Sequence, residues 1–344
     1  MSLVRALRVK LVDGHTPAQI FNAALARVNL GVIAIYQPVE LIFNVTDRCT
    51  LQCQMCMNHA PTSLVESTAG YHIPCEDLSF DLYKHVMEKY PKAMNVCLAG
   101  IGEPLVNSEI FKMVSFAKQK KKRVSIVSNG TLLSSALDEM VKYSPDFISI
   151  SLITAQEDDF EATCNVSKST FNRIIEGIRG LIEVRNRMAL PMNIGLSCVL
   201  KKSRLAIVEP MIELAASLGV DSIDFHNLIP STLPGCDIGE CLFAEDQSAT
   251  ETFSQIPIPP GLAVRFPKLL KREIDVQKCR SFNRVLYVDG RGSISGCYRV
   301  FPPDAANGSV FERAVWNNDY FKTQRRRFKR GKVPDTCRYC VDLS

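Results

Sequence analysis

A repeated alternation of short apolar runs and helix-like segments constrains the fold of this 344-residue chain most strongly. Six runs from residue 40 onwards are rich in Val and Ile and lack the clean apolar/polar alternation of half-exposed strands. Parallel strands that are covered on both faces have this composition. The runs are ELIFNV (40–45), NVCLAG (95–100), RVSIVS (123–128), FISISL (147–152), NIGLSCVL (193–200) and DSIDFH (221–226).

Segments with helical periodicity separate these runs. Residues 107–120 predict a helix capped by Asn107 or Ser108, and residues 206–219 predict one that ends at Gly219. Strand and helix in alternation imply right-handed crossovers and a parallel sheet, either doubly wound or curled into a partial barrel. Both architectures place their chemistry at the carboxyl ends of the strands.

Composition and sequence patterns indicate which classes of protein this chain can belong to. A net charge of +5 with 46% apolar residues is typical of a globular protein and does not indicate a nucleic-acid binder. The apolar stretches are too short for a membrane span, and no signal-peptide pattern opens the chain, so we expect a cytoplasmic location. Thirteen cysteines in such a chain favour metal ligation over disulfides.

The chain divides into four predicted segments. Residues 1–38 form an N-terminal helical extension, in which 16–31 pack across a barrel mouth, and residues 39–230 form the strand-helix unit. Residues 231–275 lose the periodicity and predict a connector. Residues 276–344 predict a small second unit with a β-hairpin at 281–300, turning at Asp289 and Gly290.

Two sets of cysteines are candidate metal ligands. Cys49, Cys53 and Cys56 form a C-x3-C-x2-C array just beyond the first predicted strand, and three thiolates from one loop suit zinc or an iron-sulfur cluster. The second set comprises Cys279, Cys297, Cys337 and Cys340, which fit a four-cysteine zinc site or a [4Fe-4S] cluster equally well. The remaining cysteines, Cys164 and Cys198 among them, are interpreted as small core residues.

Three motifs together resemble the radical S-adenosylmethionine (SAM) superfamily. They are CTLQCQMC (49–56), AGIGEPL (99–105) and SNGTLL (128–133), and the resemblance extends over about residues 39–230 and 276–344. It implies an α/β fold, a partial (β/α)6 TIM-like barrel with a small C-terminal twitch domain that contains the hairpin. It also implies that Cys49, Cys53 and Cys56 hold a [4Fe-4S] cluster whose open iron binds the amino and carboxylate groups of SAM.

The same resemblance implies further SAM contacts. Gly100, Gly102 and Glu103 are expected at the methionyl amino end, and Ser128 and Asn129 near the sulfonium or ribose. Met55 stands where an aromatic residue that touches adenine is common. Cys279, Gly292-x4-Cys297 and Cys337-x2-Cys340 resemble the twitch form of the SPASM extension, which carries one auxiliary [4Fe-4S] cluster.

The implied chemistry is the reductive cleavage of SAM to a 5'-deoxyadenosyl radical that removes a substrate hydrogen. Four cysteines would fill the coordination of the auxiliary cluster, which favours electron transfer and therefore dehydrogenation of a hydroxyl-bearing small molecule such as an aminocyclitol or a sugar. An epimerase, a bond-forming enzyme or a peptide-modifying enzyme is the alternative, and a non-enzymatic zinc or iron-sulfur protein is a more remote one.

Other polar residues are weaker candidates. Asp224 and His226 end the sixth predicted strand and are interpreted as a base, a substrate contact or a plain polar lining; Tyr298 and Arg299 are similar candidates. The basic run RRRFKRGK (325–332) predicts a docking site for a flavodoxin or ferredoxin-type electron donor, an anionic substrate site or a solvated face. The run KQKKKR (118–123) is interpreted as a solvated face.

Overall fold

The structure, a computed structural model, describes residues 14–28, 31–56, 58–61, 76–231, 233–271, 279–297, 307–332, 337 and 339–340. Cys75, Tyr298 and Arg299 lie outside these ranges. One mixed sheet organises the described residues, and helices fill its crossovers. The strands are β1 Glu40–Asn44, β2 Asn95–Ala99, β3 Arg123–Ser128, β4 Phe147–Ser151, β5 Asn193–Leu200, β6 Ser222–Asn227, β7 Ala263–Arg265, β8 Val285–Val288 and β9 Ile294–Ser295.

The α-helices alternate with these strands along the chain. They are α1 Pro17–Val28, α2 Phe80–Lys89, α3 Ile110–Gln119, α4 Leu137–Tyr143, α5 Glu157–Cys164, α6 Lys168–Arg187, α7 Val208–Leu218, α8 Gln247–Gln255 and α9 Asp319–Lys329. Within the described ranges, no helix is both long and apolar enough to cross a membrane.

The strand order confirms the predicted α/β fold. The sheet runs β7-β6-β5-β4-β3-β2-β1-β8-β9, and β1 to β7 pair in parallel with their sequence neighbours. Since the order never reverses, successive crossovers of one hand keep the helices on one side, and the sheet curls toward a barrel. The doubly wound alternative, which needs a reversal of strand order, is therefore wrong.

A continuous apolar core lies between the sheet and its helices. Alternate residues of each strand point into it, and those of β1, Leu41 and Phe43, are fully buried. The helices contribute the expected stripes, such as Met113, Val114 and Ala117 of α3. This packing fixes the strand ends, and therefore the rim where the predicted site residues lie.

Residues 231–271 contain more regular structure than the predicted connector. They include α8 and β7, and β7 extends the sheet by pairing in parallel with β6. Phe253 of α8 stacks on Phe266 with ring centroids 4.8 Å apart, and Phe266 stacks on Phe225 of β6 at 6.1 Å. These aromatic contacts are separated too widely in sequence to produce a periodic signal.

The hairpin is present but joins the barrel sheet. β8 pairs in parallel with β1 and antiparallel with β9, so the hairpin is continuous with the strands before it. Its connection spans residues 289–293 and not a two-residue Asp-Gly turn, because the Asp289 carboxylate accepts hydrogen bonds from the Arg291 and Ser293 N–H groups at 3.0 and 2.8 Å. The positive φ falls on Gly292, at +81°.

Two local predictions are corrected near α3. Asn107 does not cap α3, whose N-cap is Glu109; its side-chain amide instead donates to the carbonyls of Val45 and Leu78 at 3.0 and 2.9 Å. Lys122 is not on a solvated face: it is 3% exposed and its ammonium donates to the carbonyls of residues 90, 91 and 93. The predicted C-cap Gly219 ends α7 in the left-handed conformation, as expected.

Candidate active site

The cysteine loop begins at the carboxyl end of β1. Thr46 donates to Asp77 at 2.5 Å, and Arg48 forms an ion pair with the same carboxylate. The residue just before Cys49 is therefore tied to the segment that leads into α2. This contact fixes where the loop leaves the sheet.

The three thiols of the loop are half-buried and lie near one another. Burial raises the pKa of the Cys49 thiol to about 11, and Cys53 and Cys56 act in the same direction. Burial also raises the pKa of Cys56. A cysteine must lose its proton before it can bind a metal. The donor set therefore suits a positively charged metal ion or an iron-sulfur cluster.

Zinc and an iron-sulfur cluster are the two groups that three thiolates from one loop suit. Across the part of the chain that the structure describes, no group of three or more His, Cys, Asp or Glu side chains is arranged to hold a single metal ion. Iron-sulfur clusters are held by cysteine thiolates, which is the donor type that this loop supplies.

Gly100 and Gly102 allow the segment after β2 to lie directly on the cysteine loop. A Cβ on Gly102 would be 2.1 Å from the carbonyl oxygen of Arg48, and one on Gly100 would be 2.7 Å from Asn44 Oδ1. The Gly102 N–H donates to the Thr46 carbonyl at 3.0 Å. These contacts give the glycines a packing role, while their predicted contact with SAM stays a prediction.

Glu103 connects two predicted SAM-binding segments. It is 1% exposed, and its carboxylate accepts hydrogen bonds from Ser128 Oγ at 2.7 Å, the Asn129 N–H at 2.5 Å and the Leu105 N–H at 3.0 Å. Burial raises the pKa of Glu103, while these donors oppose the shift. Because the protein itself satisfies the carboxylate, its structural role is to hold the loop after β3 against the loop after β2.

Asn129 links the loop after β3 to the first cysteine. Its amide nitrogen lies 3.6 Å from Cys49 Sγ and donates to Thr50 Oγ1 at 3.0 Å. The Leu51 N–H also donates to Cys49 Sγ, at 3.5 Å. The structure thus brings Cys49, Glu103, Ser128 and Asn129 together on the rim where the sequence predicted them.

The carboxyl end of α5 holds the cysteine loop, which the sequence did not indicate. The carbonyls of residues 162, 163 and 164 accept hydrogen bonds from Gln54 Nε2, the Gln54 N–H and the Gln52 N–H at 2.9, 2.9 and 3.2 Å. Helix ends leave such carbonyls without partners, and here the loop supplies them. The two glutamines of CTLQCQMC are the only local signal of this contact, since both have side chains that can reach a helix end.

Met55 lines a cavity of about 210 Å³ beside the loop. Lys201 and Arg204, just beyond β5, line the same cavity. A larger cavity of about 270 Å³ lies at the amino ends of β1 to β4, lined by Glu40, Asn95 and Arg123, away from the cysteine loop. Only the smaller cavity adjoins predicted site residues.

Asp224 and His226 lie on the concave face of the sheet. Phe225 faces the helix layer through its stack with Phe266, and side chains alternate along a strand. Asp224 is paired with Arg265, which donates from Nε and Nη2 to both carboxylate oxygens. His226 is exposed to solvent, and partial desolvation together with Arg265 lowers the pKa of its imidazole, while Asp224 opposes the shift.

The second cysteine set has two neighbouring groups: Cys297 and Cys337 act on Tyr320 in the first turn of α9, and Cys340 acts on Cys279. Cys337 and Cys340 are buried, and Cys279 and Cys297 are half-buried. Burial raises the pKa of Cys279, with Cys340 acting in the same direction; burial also raises that of Tyr320, with Cys297 and Cys337 contributing. The assignment of the second cysteine set to an auxiliary cluster stays a prediction.

Several known proteins are similar to this chain in sequence or in fold. Residues 43–195 match the family model described as the Radical SAM superfamily. Streptococcus suis SuiB bound to S-adenosylmethionine superposes on 83% of this chain with a TM-score of 0.59 at 14% identity, which covers 68% of that chain and reflects the fold alone. The family-model match begins in β1 and ends in β5, and the neighbouring structure shares the fold.

Two curated proteins show the range of relatives. The tungsten-containing aldehyde ferredoxin oxidoreductase cofactor-modifying protein of Pyrococcus furiosus is 25% identical over 272 residues, 75% of this chain and 70% of its own length. The GTP 3',8-cyclase of Clostridium acetobutylicum is 29% identical over 140 residues, 40% of this chain and 41% of its own length. This chain therefore spans less than half of the cyclase.

Proposed function

We propose that this chain is a radical SAM oxidoreductase with two [4Fe-4S] clusters that dehydrogenates a hydroxyl-bearing small molecule, such as an aminocyclitol or a sugar. The observation that carries the proposal is the presence of two thiol sets. One lies at the carboxyl end of β1, and in the other Cys340 neighbours Cys279 while Cys297 and Cys337 neighbour Tyr320 of α9. When bound at Cys49, Cys53 and Cys56, the first cluster supplies the electron that cleaves SAM and generates the hydrogen-abstracting radical.

The second thiol set supports an oxidative outcome. Loss of a hydrogen atom from a carbinol carbon, and then of a proton from its hydroxyl group, leaves one electron to remove before the ketone is formed. A cluster held by Cys279, Cys297, Cys337 and Cys340 would have every iron ligated by protein, which suits electron transfer and leaves no iron for substrate. The chain itself must hold the substrate and accept the proton.

The concave face of the sheet suits a polar substrate. Ser151 of β4, Ser197 of β5, Asp224 of β6 and Arg265 of β7 are register partners in turn, so their side chains form one polar row. His226 follows on the same face with a pKa below its usual value. Because Asp224 is engaged by Arg265, we assign the base role to His226 and a structural role to Asp224.

A basic surface on α9 suits an acidic electron donor of the flavodoxin or ferredoxin type. We define it as Arg326, Arg327, Lys329 and Arg330, which are exposed, whereas Arg325 is 3% exposed and stacks over Trp316. Reversing the charge of three exposed residues should slow reduction by such a donor, more at low than at high salt, and leave reduction by dithionite unchanged. An equal loss with both reductants would argue against docking at this surface.

The first experiment measures iron and acid-labile sulfide per chain after anaerobic reconstitution. The intact protein, a Cys49, Cys53, Cys56 triple Ala variant and the control Cys198→Ala are compared. About eight irons falling to about four in the triple variant only, with loss of 5'-deoxyadenosine formation, supports two clusters. About four irons in the intact protein with retained zinc would remove the electron acceptor and refute the dehydrogenase proposal.

The second experiment tests the reaction with a panel of deuterated aminocyclitols and sugars. Deuterium should pass from the carbinol carbon to 5'-deoxyadenosine, and one SAM should be consumed for each ketone formed. Solvent deuterium at an inverted carbon, with no change in oxidation state, would identify an epimerase instead.

A second candidate changes the substrate and keeps the radical chemistry. The relative that aligns with three quarters of this chain at 25% identity is named a cofactor-modifying protein. On that ground a cofactor precursor belongs in the substrate panel. Turnover of such a precursor without oxidation would favour this candidate.

A further inference from the structure

The thiol of Cys164 lies against the cysteine loop. Cys164 ends α5 and is 1% exposed, and its Sγ is 3.5 Å from Cys53 Sγ. In the structure the Cys53 thiol donates to Cys164, and this contact together with burial raises the pKa of Cys53. The two residues are 111 positions apart in sequence.

Ligation of iron would reverse the direction of this hydrogen bond. A cysteine ligand is a thiolate, which only accepts hydrogen bonds. The S–H of Cys164 is then the group that donates to Cys53. Hydrogen bonds to ligand sulfurs withdraw charge from an iron-sulfur cluster and raise its reduction potential.

Backbone hydrogen bonds hold the thiols of Cys53 and Cys164 next to each other. Gln52 and Gln54 flank Cys53, and their backbone N–H groups donate to the carbonyls of Cys164 and Thr163 at 3.2 and 2.9 Å. Asn165, in the left-handed conformation that ends α5, donates from its side chain to Gln52 Oε1 at 2.8 Å. These hydrogen bonds join the backbone around Cys53 to the end of α5. The contact between the two sulfurs is therefore held by the backbone and not by the side chains alone.

We propose that Cys164 is a positioning residue for the SAM-cleaving cluster: its thiol donates a hydrogen bond to the Cys53 thiolate and raises the reduction potential of the cluster. This inference rests on the proposed function. It assigns a role to a cysteine that the sequence pattern placed among the core residues.

The test is an EPR-monitored redox titration of the reconstituted full chain without SAM. The variants are Cys164→Ala, Cys164→Ser and the control Cys198→Ala, a fully buried cysteine of β5. The signal that changes on addition of SAM identifies the relevant cluster. In Cys164→Ala the potential should fall, with the ratio of reduced to oxidised cluster about threefold to tenfold lower at one fixed potential. Cys164→Ser, with a stronger donor, should lie at or above the wild type, and Cys198→Ala should match it.

The possible results distinguish the role of Cys164 from the proposed function of the chain. A normal cluster in Cys164→Ala with the wild-type potential would overturn the role of Cys164 and leave the proposed function intact. If Cys164→Ala assembles no cluster, Cys164→Ser decides: a potential at or above wild type supports the hydrogen bond, and a lower one overturns it. A wild-type chain without a SAM-responsive cluster would refute the proposed function, and the inference with it.

Discussion

Gly102→Ala is the substitution for which the structure predicts a large and specific effect. The new Cβ would lie 2.1, 2.6 and 2.7 Å from the carbonyl oxygen, carbonyl carbon and nitrogen of Arg48, and backbone atoms cannot move aside as a side chain can. The loop must shift, which breaks the Gly102 and Glu103 N–H bonds to Thr46 and Arg48, at 3.0 and 2.8 Å. Overpacking costs about 1–3 kcal/mol and each hydrogen bond about 1 kcal/mol, so we expect about 3–5 kcal/mol less stability.

The assay is equilibrium denaturation of the apo chain, together with iron content after reconstitution. The matched control is Gly180→Ala in α6. Its new Cβ would lie 3.8 Å from the Leu137 side chain, which is an ordinary van der Waals contact. The control should gain about 0.5–1 kcal/mol, as expected for Gly to Ala in a helix. Gly102→Ala should lose both stability and cluster iron. A Gly102→Ala protein with the midpoint and iron content of the wild type would refute the close packing of the two loops.

Three further predictions follow from buried polar contacts. Glu103→Gln places an amide NH2 group among backbone and hydroxyl donors. We expect the free energy of unfolding, measured by denaturation, to fall by about 1–3 kcal/mol. An unchanged denaturation midpoint would contradict the hydrogen-bond network around Glu103. Lys122→Met leaves three carbonyls without their donor and should cost about 2–4 kcal/mol, whereas exposed Lys120→Met should have almost no effect on the same curve. His226 should titrate below its usual pKa by NMR, and below its wild-type value in Asp224→Asn, since Asp224 raises that pKa and Arg265 lowers it. Because the lowered pKa disfavours protonation in the folded state, His226 should make stability rise with pH in the window just below 6.5. A His226 pKa above 6.5 would contradict the combined effect of desolvation and Arg265.

Sequence patterns predicted the barrel well because parallel βα units are built from local signals. The six predicted strands match β1 to β6 to within a residue, since buried parallel strands are continuous apolar runs bounded by turns. The first cysteine set was visible because its three members lie within eight residues, and the second because its spacing resembles that of a known extension. Placement of the first set and the GEP segment on one rim followed from the shared direction of the strands.

Other features depended on contacts between distant parts of the chain. The parallel pairing of β8 with β1, the ion pair of Asp224 with Arg265 and the burial of Lys122 all join residues that no local pattern relates. A charged run predicts a solvated face unless carbonyls in another segment happen to receive the ammonium, as they do for Lys122.

The sequence by itself determined the α/β fold class, the six strands β1 to β6 and the positions of the candidate thiol donors. Only the tertiary structure decided the strand order and which thiol neighbours which, and it placed the sulfur of Cys164, a buried core residue as predicted, 3.5 Å from that of Cys53. The physical reason is that periodicity and spacing report on one element at a time. The hydrogen bond between the Cys53 and Cys164 sulfurs exists only once α5 and the loop after β1 have packed together.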